Sequence, residues 1–152
     1  MKITQIREKD GVEALSVLDF NLLIEKIKTE IKTRPVTGLR QALHFVLPGE
    51  SCSFAGKLPK VIPAAVFGRV NGVKRMKVYN GIVELTVGPL AGKVEVDLVK
   101  KKAAELPQTM FAYMGASGNS VKIWTLFTRP DGTLPQTQEE ACLLYTSDAA
   151  DE

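Results

Sequence analysis

Residues 108–129, QTMFAYMGASGNSVKIWTLFTR, set two apolar runs on either side of a stretch of small residues, an arrangement that fits a β-hairpin and little else. On the leaving side Val121, Ile123, Thr125 and Phe127 alternate with Lys122, Trp124 and Leu126. A period of two sends neighbouring side chains to opposite faces of a sheet. On the other side Met110, Phe111, Ala112, Tyr113 and Met114 suit a partner strand. Between them Gly115, Ala116, Ser117, Gly118, Asn119 and Ser120 leave the backbone almost unshielded. A loop of that composition can bring N–H groups close to a phosphate, with the Lys122 ammonium reaching the same anion. It equally fits a plain turn beside a solvated lysine, since Gly, Ser and Asn are the ordinary turn formers.

Elsewhere the chain reads as alternating helices and strands. Met1 to Ile6 and Val12 to Leu18 pattern as two strands, and Asp19 can cap a helix over 20–32, where Leu23, Ile27 and Ile31 share a face. Pro35 interrupts it, and Thr37 can cap a shorter helix over 38–45, with Leu39, Leu43 and Val46 toward the core. Residues 51–62 read as a loop. Ala64 to Val70, Val73 to Tyr79 and Ile82 to Val87 then read as three successive antiparallel strands joined at Asn71-Gly72 and Asn80-Gly81, both hairpin signals. A helix over 94–106, carrying Val99, Ala103 and Leu106, precedes the hairpin described above. The order predicts an α+β fold, a mainly antiparallel sheet with helices packed on one face.

The last residues, Cys142 to Glu152, read CLLYTSDAADE and resemble one translated frame of a transposon mosaic-end adaptor used in sequencing libraries. Residues 1–141 are then a natural domain truncated at its C-terminal end, and the polar run from Pro135 to Glu140 is the start of a helix. Because that tail holds three acids (Asp148, Asp151, Glu152) and no base, the formal charge of +3 for the whole chain becomes +6 without it. Between Glu50 and Glu84 there is no acid, while Lys57, Lys60, Arg69, Lys74, Arg75 and Lys77 all fall there. Residues 107–130 are also acid-free and carry Lys122 and Arg129. Such surfaces favour polyanions, nucleic acid first, through a salt-dependent term blind to sequence.

Function classes can be excluded on the same basis. Cys52 alone remains once Cys142 is set aside, so the natural part has no intramolecular disulfide and no cysteine metal cluster, which fits a reducing, cytoplasmic setting. The N-terminus, MKITQIREKDG, lacks the apolar run of a signal peptide, and no window approaches the roughly 20 apolar residues of a membrane span. His44, the single histidine, rules out paired-histidine metal sites and reads as structural. GASGNSVK does not meet the P-loop spacing, and Glu95 and Asp97 suit a helix start better than a metal pair.

The run Tyr79-Asn80-Gly81-Ile82-Val83-Glu84-Leu85-Thr86-Val87-Gly88-Pro89-Leu90, followed by a helix and by FAYMGASGNSVKIWTLF, resembles the N-terminal domain of virulence-associated protein E-like proteins of Bacteroidetes mobile elements. Those domains are similar to the catalytic module of archaeo-eukaryotic primases, with an RRM-like core. The resemblance covers roughly residues 40–140. Its most specific part is Ser117-Gly118-Asn119-Ser120-Val121-Lys122, against a family pattern Ser-Gly-x-Gly-apolar-Lys. It implies that Ser117, Gly118, Asn119, Ser120 and Lys122 contact a nucleotide phosphate, with Ser120 replacing the usual glycine. Where the family carries two metal-binding aspartates this chain has Thr86 and Gly88, neither of which supplies a carboxylate. Two-metal nucleotidyl transfer needs acids that hold ions about 4 Å apart.

The resemblance therefore implies a catalytically silent primase-like domain without a cofactor, Mg2+ entering only through Glu84. Its expected partners are nucleic acid, single-stranded DNA in particular, and downstream domains of the same full-length protein. Lys74, Arg75, Lys77 and Arg129 would meet phosphates, and Trp124 either stacks on a base or belongs to the core. The competing expectation is a protein-docking module that binds no nucleic acid and exposes apolar surface.

Overall fold

The structure is a computed structural model that describes residues 1–30, 34–45, 58–137 and 139–140. The expected Ile31 and Val46 core positions, most of the 51–62 loop and the 142–152 tail lie outside those residues. Strands β1 (Lys2–Lys9) and β2 (Val12–Asp19) form an antiparallel hairpin. Asp10 and Gly11 both take positive φ at its turn, which matches the right-handed twist of the flanking strands. Pairing of Ile3 with Leu18 puts both on one buried face. The Asp19 carboxylate accepts a hydrogen bond of 2.9 Å from the Asn21 N–H and so caps α1 (Phe20–Glu30), whose Leu23 is buried.

Helix α2 (Arg34–Leu43) begins earlier than the expected 38–45 segment. Pro35 falls in its first turn, where a missing N–H costs no hydrogen bond, so the proline opens this helix instead of delaying it. Val36 and Leu39 are buried, and His44 and Phe45 follow in an exposed turn, so the histidine is not a packed core residue.

Strand β3 (Lys60–Ile62), within the segment read as loop, pairs with the second edge of β1 to give the order β2-β1-β3. Next come β4 (Ala65–Val70) and β5 (Val73–Tyr79), a hairpin turned by Asn71 and Gly72, both at positive φ. The expected continuation of that sheet into the next strand does not occur. Strand β6 (Ile82–Val87) leaves the ribbon and pairs with β8 (Val121–Leu126), which also pairs with β7 (Thr109–Met114), giving the order β6-β8-β7. The diversion is made at Asn80 and Gly81. The Asn80 amide donates to the Lys2 and Pro63 carbonyls at 2.8 and 2.9 Å, while the Gly81 carbonyl accepts from the Phe127 N–H at 2.7 Å. The Asn-Gly pair thus ties three segments together instead of closing a hairpin.

Helix α3 (Lys93–Ala104) connects β6 to β7. Three helices and three antiparallel sheets make an α+β fold among the described residues. The helices are divided between the two faces of the β6-β8-β7 sheet instead of being gathered on one. Val121 and Ile123 pack with Val96 and Ala103 of α3. The opposite face carries Trp124 and Ile82, which pack with Ile3, Leu18 and Leu23. Phe20, Phe111 and Tyr113 close around the indole, their ring centroids 5.7 to 6.0 Å from it.

Candidate nucleic-acid interface

The β7–β8 connection is built on short local bonds. Gly115 N–H donates to the Ser120 carbonyl at 2.9 Å, Gly118 N–H donates to the Gly115 carbonyl at 3.0 Å, and the Ser117 hydroxyl meets Oδ1 of Asn119 at 2.6 Å. Gly118 sits at φ +86, where an L side chain is rarely found. Arg40 of α2 then docks on the loop, its Nε donating to the Ala116 carbonyl at 3.1 Å and its outer nitrogen to the Gly115 carbonyl at 3.4 Å. The Asn119 carbonyl accepts from Leu90 N–H at 2.7 Å. Three loop carbonyls are thus already committed to other parts of the chain. Arg40 has no sequence signal: it is an ordinary cation in a polar helix, brought here by packing alone.

Lys122 follows this loop, but its ammonium is engaged by β6. Nζ lies 2.8 Å from Oε1 of Glu84 and 2.8 Å from the Thr86 hydroxyl. The indole N–H of Trp124 donates to the other Glu84 oxygen at 2.8 Å. Both carboxylate oxygens therefore hold a donor, and a cation at Glu84 would have to displace a lysine. Tyr113, across the ladder from Lys122, shares this face. Burial, reinforced by the Glu84 charge, raises its phenol far above the ordinary value.

Thr86 and Gly88 stand where the resemblance places metal-binding acids, and Gly88 precedes a cis peptide bond to Pro89. Among the described residues no group of three or more His, Cys, Asp and Glu side chains comes together. Trp124 is fully buried. With its ring enclosed by three aromatic neighbours it belongs to the core, which corrects the reading of it as a base-stacking platform. Arg129 is also partnered: it meets Glu140 at 2.9 Å, and the same carboxylate accepts from Gln136 N–H at 2.9 Å. The Thr137 hydroxyl accepts from Glu140 N–H at 3.1 Å, the reciprocal pattern of a helix start.

The β4–β5 ribbon is different. Lys74, Arg75 and Lys77 are all exposed, and none of them belongs to an ion pair among the described residues. Arg69 is held by the Gly72 and Glu13 carbonyls, each at 3.0 Å, so its position is fixed, and it forms no ion pair with an acid among the described residues. Lys74 Nζ stands 4.9 Å above the centre of the Phe67 ring. At Lys77 the pairing skips a residue, and the Lys77 stem lies across Gly68, occupying the space a Cβ there would fill. Of the candidate residues, the structure brings Lys122 and Trp124 together around Glu84 and groups Lys74, Arg75 and Lys77 on a separate ribbon.

Together these features define an α+β domain that presents a basic β-ribbon and keeps a closed, self-neutralised polar cluster at the end of its main sheet. The family model described as BT4734-like, N-terminal domain, matches residues 53–150, and the chain belongs to that family, a Bacteroides-type domain. Strands β1 and β2 and helices α1 and α2 precede the matched residues. No curated protein and no solved structure gives a significant match. No described helix is long and apolar enough to cross a membrane.

Proposed function

We propose that this domain binds nucleic acid without catalysing a reaction on it, as a degenerate primase-like module of a mobile-element replication protein that works beside downstream domains of the same protein. The observation that carries this reading is the exposed, acid-free β4–β5 ribbon with Arg69, Lys74, Arg75 and Lys77. Cations without acid partners attract phosphate backbones by releasing condensed counterions. The loop at Ser117, Gly118, Asn119 and Ser120 contributes less than the resemblance implies, because Lys122 is spent on Glu84 and the Gly115 and Gly118 N–H groups already donate to carbonyls within the loop.

The test is an anisotropy titration of the full chain against labelled DNA at two salt concentrations, beside a nucleotide-incorporation assay with Mg2+ or Mn2+. Binding that weakens with salt, without incorporation, is expected. Absence of binding at low salt overturns the binding claim. Incorporation abolished by Glu84→Gln overturns the claim of silence.

A second reading, a protein-docking module, is favoured by one observation. Leu85 on β6 and Val94 and Leu98, one turn apart on α3, are exposed apolar side chains. Loss of DNA binding together with capture of a downstream domain would favour it.

A further inference from the structure

The ribbon that carries the proposed function has two chemically distinct faces and an apolar tip. Residues paired across an antiparallel ladder share a face. Val66 with Val78, Gly68 with Arg75, and Val70 with Val73 therefore form one side. Lys77 lies over Gly68 on that same side. The other side presents Arg69 and Lys74, with Phe67 beneath the lysine. At the end of the ribbon Val70 and Val73, 52% and 53% exposed, flank the Asn71-Gly72 turn.

Proteins that hold single strands ordinarily stack bases on aromatic platforms. This ribbon offers none: Phe67 is half-buried and covered by Lys74, and Trp124 is in the core. A single strand lying on one face would meet only part of the charge. A duplex groove has a phosphate strand on each side, and the major groove, about 12 Å wide, admits a two-stranded β-ribbon. Cations on both faces suit those two walls, and an apolar tip suits the base-pair floor between them.

We infer that the β4–β5 hairpin is a groove-directed arm for double-stranded DNA, with Arg75 and Lys77 toward one phosphate strand, Lys74 toward the other, and Val70 and Val73 toward base edges. This rests on the nucleic-acid reading above and narrows it to duplex.

The experiment is a competition on the full chain between a labelled DNA duplex and each of its single strands, over a salt series, with far-UV circular dichroism as the folding control. Duplex is expected to bind more tightly than either strand. The V70S/V73S variant should weaken duplex binding and leave single-strand binding unchanged. Lys74→Gln and Arg75→Gln, on opposite faces, should each reduce the salt slope on duplex by about 1. Single strands that bind as tightly as duplex, or a folded V70S/V73S variant with unaltered duplex affinity, overturn the inference while leaving nucleic-acid binding standing. Should the valine variant unfold, the charge variants decide: a slope change from one face only overturns the two-walled geometry. Failure to bind either form at low salt removes the underlying reading itself.

Discussion

The Lys122 ammonium meets the Glu84 carboxylate diagonally across the β6–β8 ladder, 2.8 Å apart, because Glu84 is paired directly with Trp124 and Lys122 with Thr86. Diagonal neighbours on a sheet face are within reach of long side chains. Both are largely shielded, with 32% and 26% of the lysine and glutamate side chains exposed. Glu84→Ala strands an ammonium and a buried indole N–H at once, whereas Lys122→Met removes one donor and leaves the Trp124 bond intact. The expected costs are about 2–4 kcal/mol for the first and about 1 kcal/mol for the second. Urea midpoints of the two variants measure the difference, and equal losses would mean that the indole bond contributes nothing.

Tyr113 makes a prediction about alkaline pH. Its phenol is held neutral in the folded protein first by burial, then by the Glu84 charge, with the Trp124 side chain acting in the opposite direction. The folded value thus lies above the unfolded one, which is about 10. Below that pH both states carry the proton and Tyr113 adds no pH dependence. As pH rises past it, the unfolded chain loses the proton first and stability falls. Denaturation at several pH values above 10 should show this loss, and Tyr113→Phe should flatten it. A slope unchanged in the variant would assign the loss to other groups.

Trp124 is the single tryptophan and is fully buried. Its fluorescence should be blue-shifted and resist an aqueous quencher until the chain unfolds. Trp124→Ala should cost about 3–5 kcal/mol, the ordinary loss for a large aromatic core residue. Efficient quenching in the folded state would contradict the burial.

Two glycines at positive φ separate backbone cost from crowding. At Gly11, φ +74, an added Cβ meets nothing within 4 Å, so Gly11→Ala should cost only the left-handed conformation, about 1–2 kcal/mol. At Gly81, φ +65, the same atom would collide with Leu134 and stand 2.9 Å from the Phe127 carbonyl oxygen. Gly81→Ala should therefore destabilise more, by about 2–4 kcal/mol, since overpacking adds its own cost. Thermal unfolding of both variants gives the order, and a reversed order would place the crowding elsewhere.

Much of the fold was readable along the chain. The hairpin over residues 109–126, the Asn71-Gly72 turn, the Asp19 cap and the helix after Pro89 all rest on relations between near neighbours: a period of two, a left-handed turn, a side chain reaching its own backbone. The readings that changed were of another kind. Asn80-Gly81 carries the same local signal as Asn71-Gly72 yet closes no hairpin, because the Asn80 amide is taken by Lys2 and Pro63. Strand β3 is too short to show a period and exists because β1 had a free edge to fill.

The basic charge, the acid-free segment and the lack of carboxylates at Thr86 and Gly88 belong to the sequence by itself, since they depend on which residues are present and not on where they meet. Which cations stay available was decided by tertiary structure. Lys122 and Arg129 are each spent on a glutamate, and Arg40 reaches the Gly115 and Ala116 carbonyls from 75 and 76 residues away, while Lys74, Arg75 and Lys77 keep their charge open on a ribbon. The physical reason is the short range of a hydrogen bond: it forms only when packing brings donor and acceptor to about 3 Å, and the order of residues along a chain does not specify that separation for groups so far apart.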